Sequence, residues 1–210
     1  MRLEPTDPQS HVDALYDASH NASDPNLWTY LFVGPFPDKT EFKAYVESVA
    51  ASPTDIFYTI VDEEAGQPAG IASYLRIVPE HGVIEIGHIW FGVGLQRTAG
   101  ATEAIYLLAR HVFEDLGYRR LEWKCDALNQ RSRRAAERFG FTFEGIFQQH
   151  MVIKGKNRDT AWFAMLDRDW TLVSKMYESW LSSENFDANG NQIRSLGAIR
   201  QTLTKMSGGF

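Results

Sequence analysis

The chain of 210 residues contains one cysteine, Cys125, so no internal disulfide framework can form and a reducing compartment suits it. Long apolar runs are missing as well. None exceeds the length of the run from Ala104 to Ala109, far shorter than a membrane span, and membrane partners are not expected. Residues 1–5 carry no hydrophobic h-region, which together with the lone cysteine makes the expected location cytoplasmic. The sequon Asn21-Ala22-Ser23 then has no meaning. There is no repeat and no low-complexity tract. Nor is there a Gly-Lys-Ser/Thr loop, and Gly92-Val93-Gly94 is followed by Arg97 where a dinucleotide fingerprint needs a third glycine.

What is present is an ordinary globular composition, 44% hydrophobic and 23% charged. The net charge of −6 divides unevenly. Residues 1–90 hold 14 acids and 4 bases, whereas residues 91–168 hold 9 acids and 13 bases. An acidic first half opposes phosphate neutralisation, so nucleic acid is not expected as a partner. The basic middle is either a solvated face or a seat for a small polyanion.

Helix-like spacing covers 15–18 and 42–49, and Ile56 to Val61 reads as a strand. Ala69–Val78 and Val83–Phe91 form a hairpin around Pro79-Glu80-His81-Gly82. After a loop at 92–97, Ala101, Ala104, Ile105, Leu108 and Val112 recur at helical spacing, and Gly117 stops the helix. Leu121, Trp123, Cys125 and Ala127 alternate with Glu122, Lys124 and Asp126, the pattern of a half-buried strand. Asn129 opens a short helix closed by Gly140. A second hairpin joins Phe147–Ile153 to Ala161–Leu166 around residues 154–159. Residues 1–169 make one domain. Residues 170–210 read as an appendage with one amphipathic helix and a mobile end, packed on the domain or on a second subunit.

A strand, a loop of small residues and a helix beginning near Thr98 suit a phosphate group, because the first helical N–H groups lack partners. The run Gln96-Arg97-Thr98-Ala99-Gly100-Ala101-Thr102 carries this device. With Asn129-Gln130-Arg131-Ser132, Phe139-Gly140-Phe141, Glu144-Gly145 and Arg158-Asp159-Thr160-Ala161-Trp162, it resembles the GNAT superfamily of N-acetyltransferases, in particular the ribosomal-protein-acetylating RimJ/RimL-like branch. The resemblance covers roughly residues 1–170. Ala99 departs from the family's glycine but keeps its own backbone N–H.

The resemblance implies an α+β fold: a mostly antiparallel mixed sheet flanked by helices, its fourth and fifth strands splayed around acetyl-CoA. Those strands map to Val83–Phe91 and Leu121–Ala127, and Gly87 suits a bulge. Ile89, Trp90 and Phe91, the loop Gln96–Thr102 and Asn129 become cofactor-binding residues, Asn129 through its amide or as a helix cap. The implied activity is transfer of the acetyl group to a primary amine, by direct attack in a ternary complex. A non-catalytic acyl-CoA-binding module is the alternative.

Glu85 is the implied general base, or else a structural strand glutamate. Ser132 is the implied thiol-side residue, or else a small residue on a packed face. Ala136 stands where many relatives keep a tyrosine acid. His88 relays the proton, sits in the acceptor cleft or is structural, and His150 is read in the same way. Trp28, Tyr30, Phe32 and Phe36 line the acceptor cleft or fill the core. Cys125 alternates in register with apolar neighbours and is read as structural rather than as an acyl carrier. Arg131, Arg133 and Arg134 are solvated or meet the 3′-phosphate. No metal is expected. The acceptor's identity and the oligomeric state, a homodimer included, are left open.

Overall fold

The computed structural model describes residues 1–21, 24 and 26–207. Ala22 and Ser23 of the sequon, Pro25 and the end at 208–210 lie outside the described residues. The elements follow in the order β1 (Arg2–Pro5), α1 (Pro8–Tyr16), α2 (Lys39–Ala50), β2 (Ile56–Asp62), β3 (Gln67–Val78), β4 (Val83–Phe91), α3 (Ala99–Arg110), β5 (Arg120–Asp126), α4 (Gln130–Arg138), β6 (Thr142–Ile153), β7 (Lys156–Leu166), α5 (Asp167–Leu181) and α6 (Leu196–Ser207).

Four helices open on a side chain able to take an orphan N–H. Asp7 accepts from Gln9 N, Asp38 from Thr40 N and Glu41 N, Thr98 from Ala101 N, and Asn129 from Ser132 N. The seven strands form one sheet in the order β1-β2-β3-β4-β5-β7-β6. Every pairing is antiparallel except β4 with β5. This is the α+β architecture that the motif order implies.

Each sheet face buries a separate core. On one side Ile84, Ile86, Leu121, Trp123 and Phe163 meet α3, α4 and α5. On the other, Phe57, Ile71 and Trp90 meet Val12 and Leu15 of α1 and Phe42 and Val46 of α2. The second core stops at β4. Beyond it, the same face of β5 and β7 carries charge.

Two features depart from the sequence reading. The β6–β7 turn is only Lys154-Gly155, so β7 begins at Lys156, within residues read as loop, and β6 begins earlier, at Thr142. A further helix, α6, occupies residues read largely as tail. The helices α5 and α6 pack on the domain, where Trp170, Val173, Tyr177, Trp180, Leu196 and Ile199 are all buried in the main core. The Tyr177 hydroxyl donates to Phe139 O at 2.8 Å, and Trp170 Nε1 donates to Glu114 Oε1 at 2.9 Å. No helix among the described residues is long and apolar enough to cross a membrane.

The charged stretch of sheet is a network. Lys124, its side chain 3% exposed, meets Glu85 Oε2 at 2.8 Å and Glu122 Oε2 at 2.6 Å. Its Nζ also lies 3.9 Å above the Trp162 ring centroid. Arg120 bridges Glu122 and Glu144. Burial pushes the Glu122 carboxyl up, but hydrogen bonds from Lys124 and Arg120 outweigh it and hold the group below the usual range. Arg120 holds Glu144 down as well. Carboxylates lowered by folding stabilise the protein fully above their unfolded values, near 4.3, and lose that contribution as pH falls through the folded ones. Urea midpoints measured from pH 6 down to 3 should therefore fall below about pH 4.5. Arg120→Met should flatten that dependence, and an equal slope in the variant would remove the network from the explanation.

Candidate active site

The parallel strands β4 and β5 pair over four residues only, Val83 to Ile86 against Arg120 to Trp123. Past Ile86 the edge of β4 facing β5 has no strand partner among the described residues, and a cleft of about 1450 Å³ opens there. Its floor is the diverging strand ends, and its two sides belong to opposite faces of the sheet.

On the α3/α4 side the cleft reaches the start of α3. Thr98 occupies the Ala101 N–H, but the amides of Ala99 and Gly100 have no acceptor among the described residues. Arg97 is held at φ 64°, in the left-handed region, and Gln96 Nε2 donates to Phe91 O at 2.9 Å, tying the loop to the end of β4. Two free amides at a helix N-terminus suit a diphosphate, and Ala99 keeps its donor despite its methyl group. Gln96, Arg97, Thr98, Ala99, Ala101 and Thr102 border the cleft. Gly100 does not. A Cβ there would lie 2.6 Å from Met1 Sδ, so its glycine serves packing against the N-terminal strand. Thr102 is buried and accepts from Arg138 Nη1 at 3.1 Å.

Ser132 and Asn129 stand on the same side. Asn129 Oδ1 accepts from Ser132 N, so this oxygen acts as a helix cap. Trp123 Nε1 donates to Ser132 Oγ at 3.0 Å, which leaves the serine proton free to point elsewhere. Cys125 is buried beside this hydroxyl, and burial pushes its thiol up, so a thiolate is disfavoured.

The other side is organised by a bulge in β4. Ser73 pairs with Gly87 but Ile71 pairs with Trp90, so β4 holds one residue more than β3. The left-handed residue is His88, at φ 50°, and not Gly87. Gly87 answers a different need: a Cβ there would lie 2.7 Å from Leu75 Cδ2. Strict alternation from Ile84 and Ile86 would turn His88 and Trp90 towards α3. The extra residue turns both to the α1/α2 face. There the His88 ring stacks on Phe57 at 5.1 Å, while Trp90 joins the second core.

Ser73 Oγ lies 3.1 Å from Gly87 O and 2.9 Å from His88 Nδ1. The tautomer that satisfies both contacts at once sends the single hydroxyl proton to the carbonyl, which can only accept, and has Nδ1 donate its own proton to the hydroxyl. In that tautomer Nε2 is an acceptor. Burial lowers the His88 pKa, which keeps the ring neutral near pH 7.

Glu85 is placed differently from the expected free base. It is 4% exposed, and its Oε2 receives both Arg76, at 2.7 Å, and Lys124. A carboxylate clamped by two cations is an ion-pair centre. Lys124 and Arg76 were not singled out by the sequence reading. The only available signal was a lysine on the polar side of an alternating strand.

The aromatics divide. Tyr30 and Phe32 are exposed at the cleft wall, and Phe32 lies edge-on to His88 at 5.8 Å. Trp28 is 4% exposed and packs on Phe36, Phe42 and Trp90, so it is a core residue and not a cleft residue. Phe36 joins it there. The loop that carries them is fastened across the cleft: Lys154 Nζ donates to Trp28 O and Val33 O, Tyr30 OH to Leu128 O, and Arg131 pairs with Asp24. His150 lies away from the cleft wall, bonded to Thr160 Oγ1. Among the described residues no His, Cys, Asp and Glu group could hold a metal ion.

A sheet whose parallel central pair parts above a helix N-terminus is the architecture of the GNAT fold. A family model described as an acetyltransferase (GNAT) domain matches residues 1–142, and the chain belongs to that family. It is 24% identical over 151 residues, 70% of this chain and 84% of the other, to an uncharacterized N-acetyltransferase, p20, of Bacillus licheniformis. A crystal structure of a GCN5-related N-acetyltransferase from Brucella melitensis superimposes with a TM-score of 0.91 at 45% identity, covering 95% of this chain and 90% of that one. A probable GNAT-family acetyltransferase from Chromobacterium violaceum gives 0.74 at 43% identity, covering 80% and 84%.

Proposed function

We propose that this protein is an acetyl-CoA-dependent N-acetyltransferase that acetylates a primary amine by direct attack within a ternary complex. The observation carrying this reading is the parting of β4 and β5 after Ile86, which opens a passage from the free amide of Ala99 to the imidazole of His88. Acetyl-CoA supplies an activated acetyl group as a thioester. Its diphosphate suits the α3 N-terminus, and the unpaired edge of β4 at Ile89 to Phe91 suits the pantetheine arm and thioester carbonyl. The similarity of the run from Gln96 to Trp162 to the ribosomal-protein-acetylating branch supports the same cofactor.

The acceptor amine reaches the carbonyl from the α1/α2 side, between Phe32 and His88. His88 Nε2 takes the ammonium proton before attack, and Glu85 stays an anion that favours the resulting imidazolium. The amine nitrogen forms the new C–N bond, the C–S bond breaks, and the Ser132 hydroxyl donates a hydrogen bond to the departing sulfur. Cys125 has no part in these steps.

Two measurements test the reading. Acetyl-CoA at a hundred times its Kd should stabilise the fold by about 2.7 kcal/mol, seen as a raised thermal midpoint. A panel of primary amines should include members that release CoA thiol at rates proportional to enzyme. Stabilisation without amine-dependent thiol release would leave a binding module in place of an enzyme.

A further inference from the structure

We infer that Arg158 is the carboxylate-binding residue of the acceptor pocket, and that the acceptor is a small zwitterion whose amine and carboxylate stand only a few bonds apart. This deepens the N-acetyltransferase reading and rests on it.

Arg158 belongs to β7 and is 7% exposed at the cleft wall. Its guanidinium makes no ion pair and no side-chain hydrogen bond among the described residues, and Nε is shut off from solvent without a partner. Buried cations are ordinarily paired, since an unpaired one loses its hydration for nothing. Lys124, the cleft cation with a buried side chain, follows that rule and holds two glutamates, and even the more exposed Arg76 and Arg131 hold Glu85 and Asp24. Arg158 has the Phe32 ring, with Cζ 4.9 Å from its centroid, while the carboxylates of Asp126 and Glu85 act on it only from beyond ion-pair distance. A planar fork with free donors, facing a cleft, is built for a planar two-oxygen anion.

The position of Arg158 decides which substrate brings that anion. Thr160 pairs with Asp126, and Arg158 lies two residues before it on the same strand face. That face also presents Lys124 and Glu85, and it is opposite to the face on which Trp123 and Ser132 meet α4. The free amides for a diphosphate are on the α4 side, so the anion read by Arg158 belongs to the acceptor.

Phe32 also sets the scale. His88 and Arg158 both touch its ring, at 5.8 Å and 4.9 Å from the centroid, so their separation cannot exceed those two distances laid end to end. Hydrogen bonds of about 3 Å at each end consume most of that span. What remains fits the amine and carboxylate of one amino acid. A polyamine has no carboxylate, and the first amine of a long chain carries its terminal carboxylate far away.

The test compares wild type with Arg158→Met on the twenty standard amino acids, their C-terminal amides and spermidine, reading thiol release and thermal midpoint. In wild type the best free amino acid should exceed its own amide by about 100-fold in kcat/KM, mainly through KM. In the variant its kcat/KM should fall to within about fivefold of the amide, because nothing is left to read the charge. The variant's own midpoint should be unchanged or higher, since an uncompensated buried charge has gone. Equal rates for acid and amide in wild type, or a preference that survives in the variant, would overturn the assignment. Turnover of spermidine and amides alone would also overturn it while leaving the enzyme class intact. If no amine releases thiol, the enzyme reading falls. Arg158 is then judged by midpoints: stabilisation of wild type but not of the variant by a free amino acid upholds it, and no such difference removes it.

Discussion

His88→Asn should lower kcat/KM by about 10²–10⁴-fold near neutral pH, the usual worth of a positioned proton acceptor. Asparagine is chosen because it tolerates the left-handed backbone that position 88 requires and keeps a polar group opposite Ser73. It cannot take a proton. The deficit should narrow as pH rises, because more of the acceptor amine is then neutral in solution. In wild type the acidic limb of kcat/KM should lie below the ordinary histidine value of about 6.5, following the direction in which burial moves this group. A variant with wild-type rate at pH 7 would hand proton removal to bulk water, and Glu85 would gain nothing from that result because both cations still occupy its Oε2.

Lys124→Met should be the most destabilising single change on the sheet, by about 3–5 kcal/mol in urea unfolding. The lysine stands between Glu85 and Glu122, and removing it leaves two buried carboxylates on paired residues of β4 and β5 with one arginine each, Arg76 and Arg120, and no cation between them. Methionine fills much of the space over Trp162, so the loss reports charge rather than volume. Arg76→Met removes the other partner of Glu85, but that arginine is 43% exposed and its loss should cost no more than about 1 kcal/mol. Adding Glu85→Gln to Lys124→Met should restore part of the loss, since it ends the repulsion between the two facing carboxylates. A Lys124→Met protein as stable as wild type would mean that water reaches the network.

Much of the central architecture could be read from local pattern. The alternation from Leu121 to Ala127 located β5 and put Cys125 on its buried side, while Thr98 and Asn129 announced their helices. The cofactor side was legible for the same reason, because its donors are contiguous from Gln96 to Thr102. The acceptor side was not. One inserted residue in β4 reverses the facing of His88, and period-two counting cannot register it. Trp28 looked like a cleft residue because loop aromatics carry no periodicity to show which face they bury. Lys124 and Arg158 matter through partners found, or not found, across the sheet. The helix α6 was hidden behind turn-forming residues, although Leu196 and Ile199 were there to be buried.

The fastening of the cleft has a consequence for how the site comes into being. Lys154 reaches the carbonyls of Trp28 and Val33 across 126 and 121 residues of chain. The cradle at Phe91 to Ala101 closes over a short stretch, so it can organise as soon as α3 docks on the sheet. The acceptor wall must wait for the last hairpin to return to a loop made near the beginning, and contacts that close so long a loop carry the larger entropy. During synthesis the cradle can therefore form before the wall that Lys154 fastens. The same asymmetry leaves that wall, from residues 26–37 and 154–158, open to change without disturbing the loop from Phe91 to Ala101.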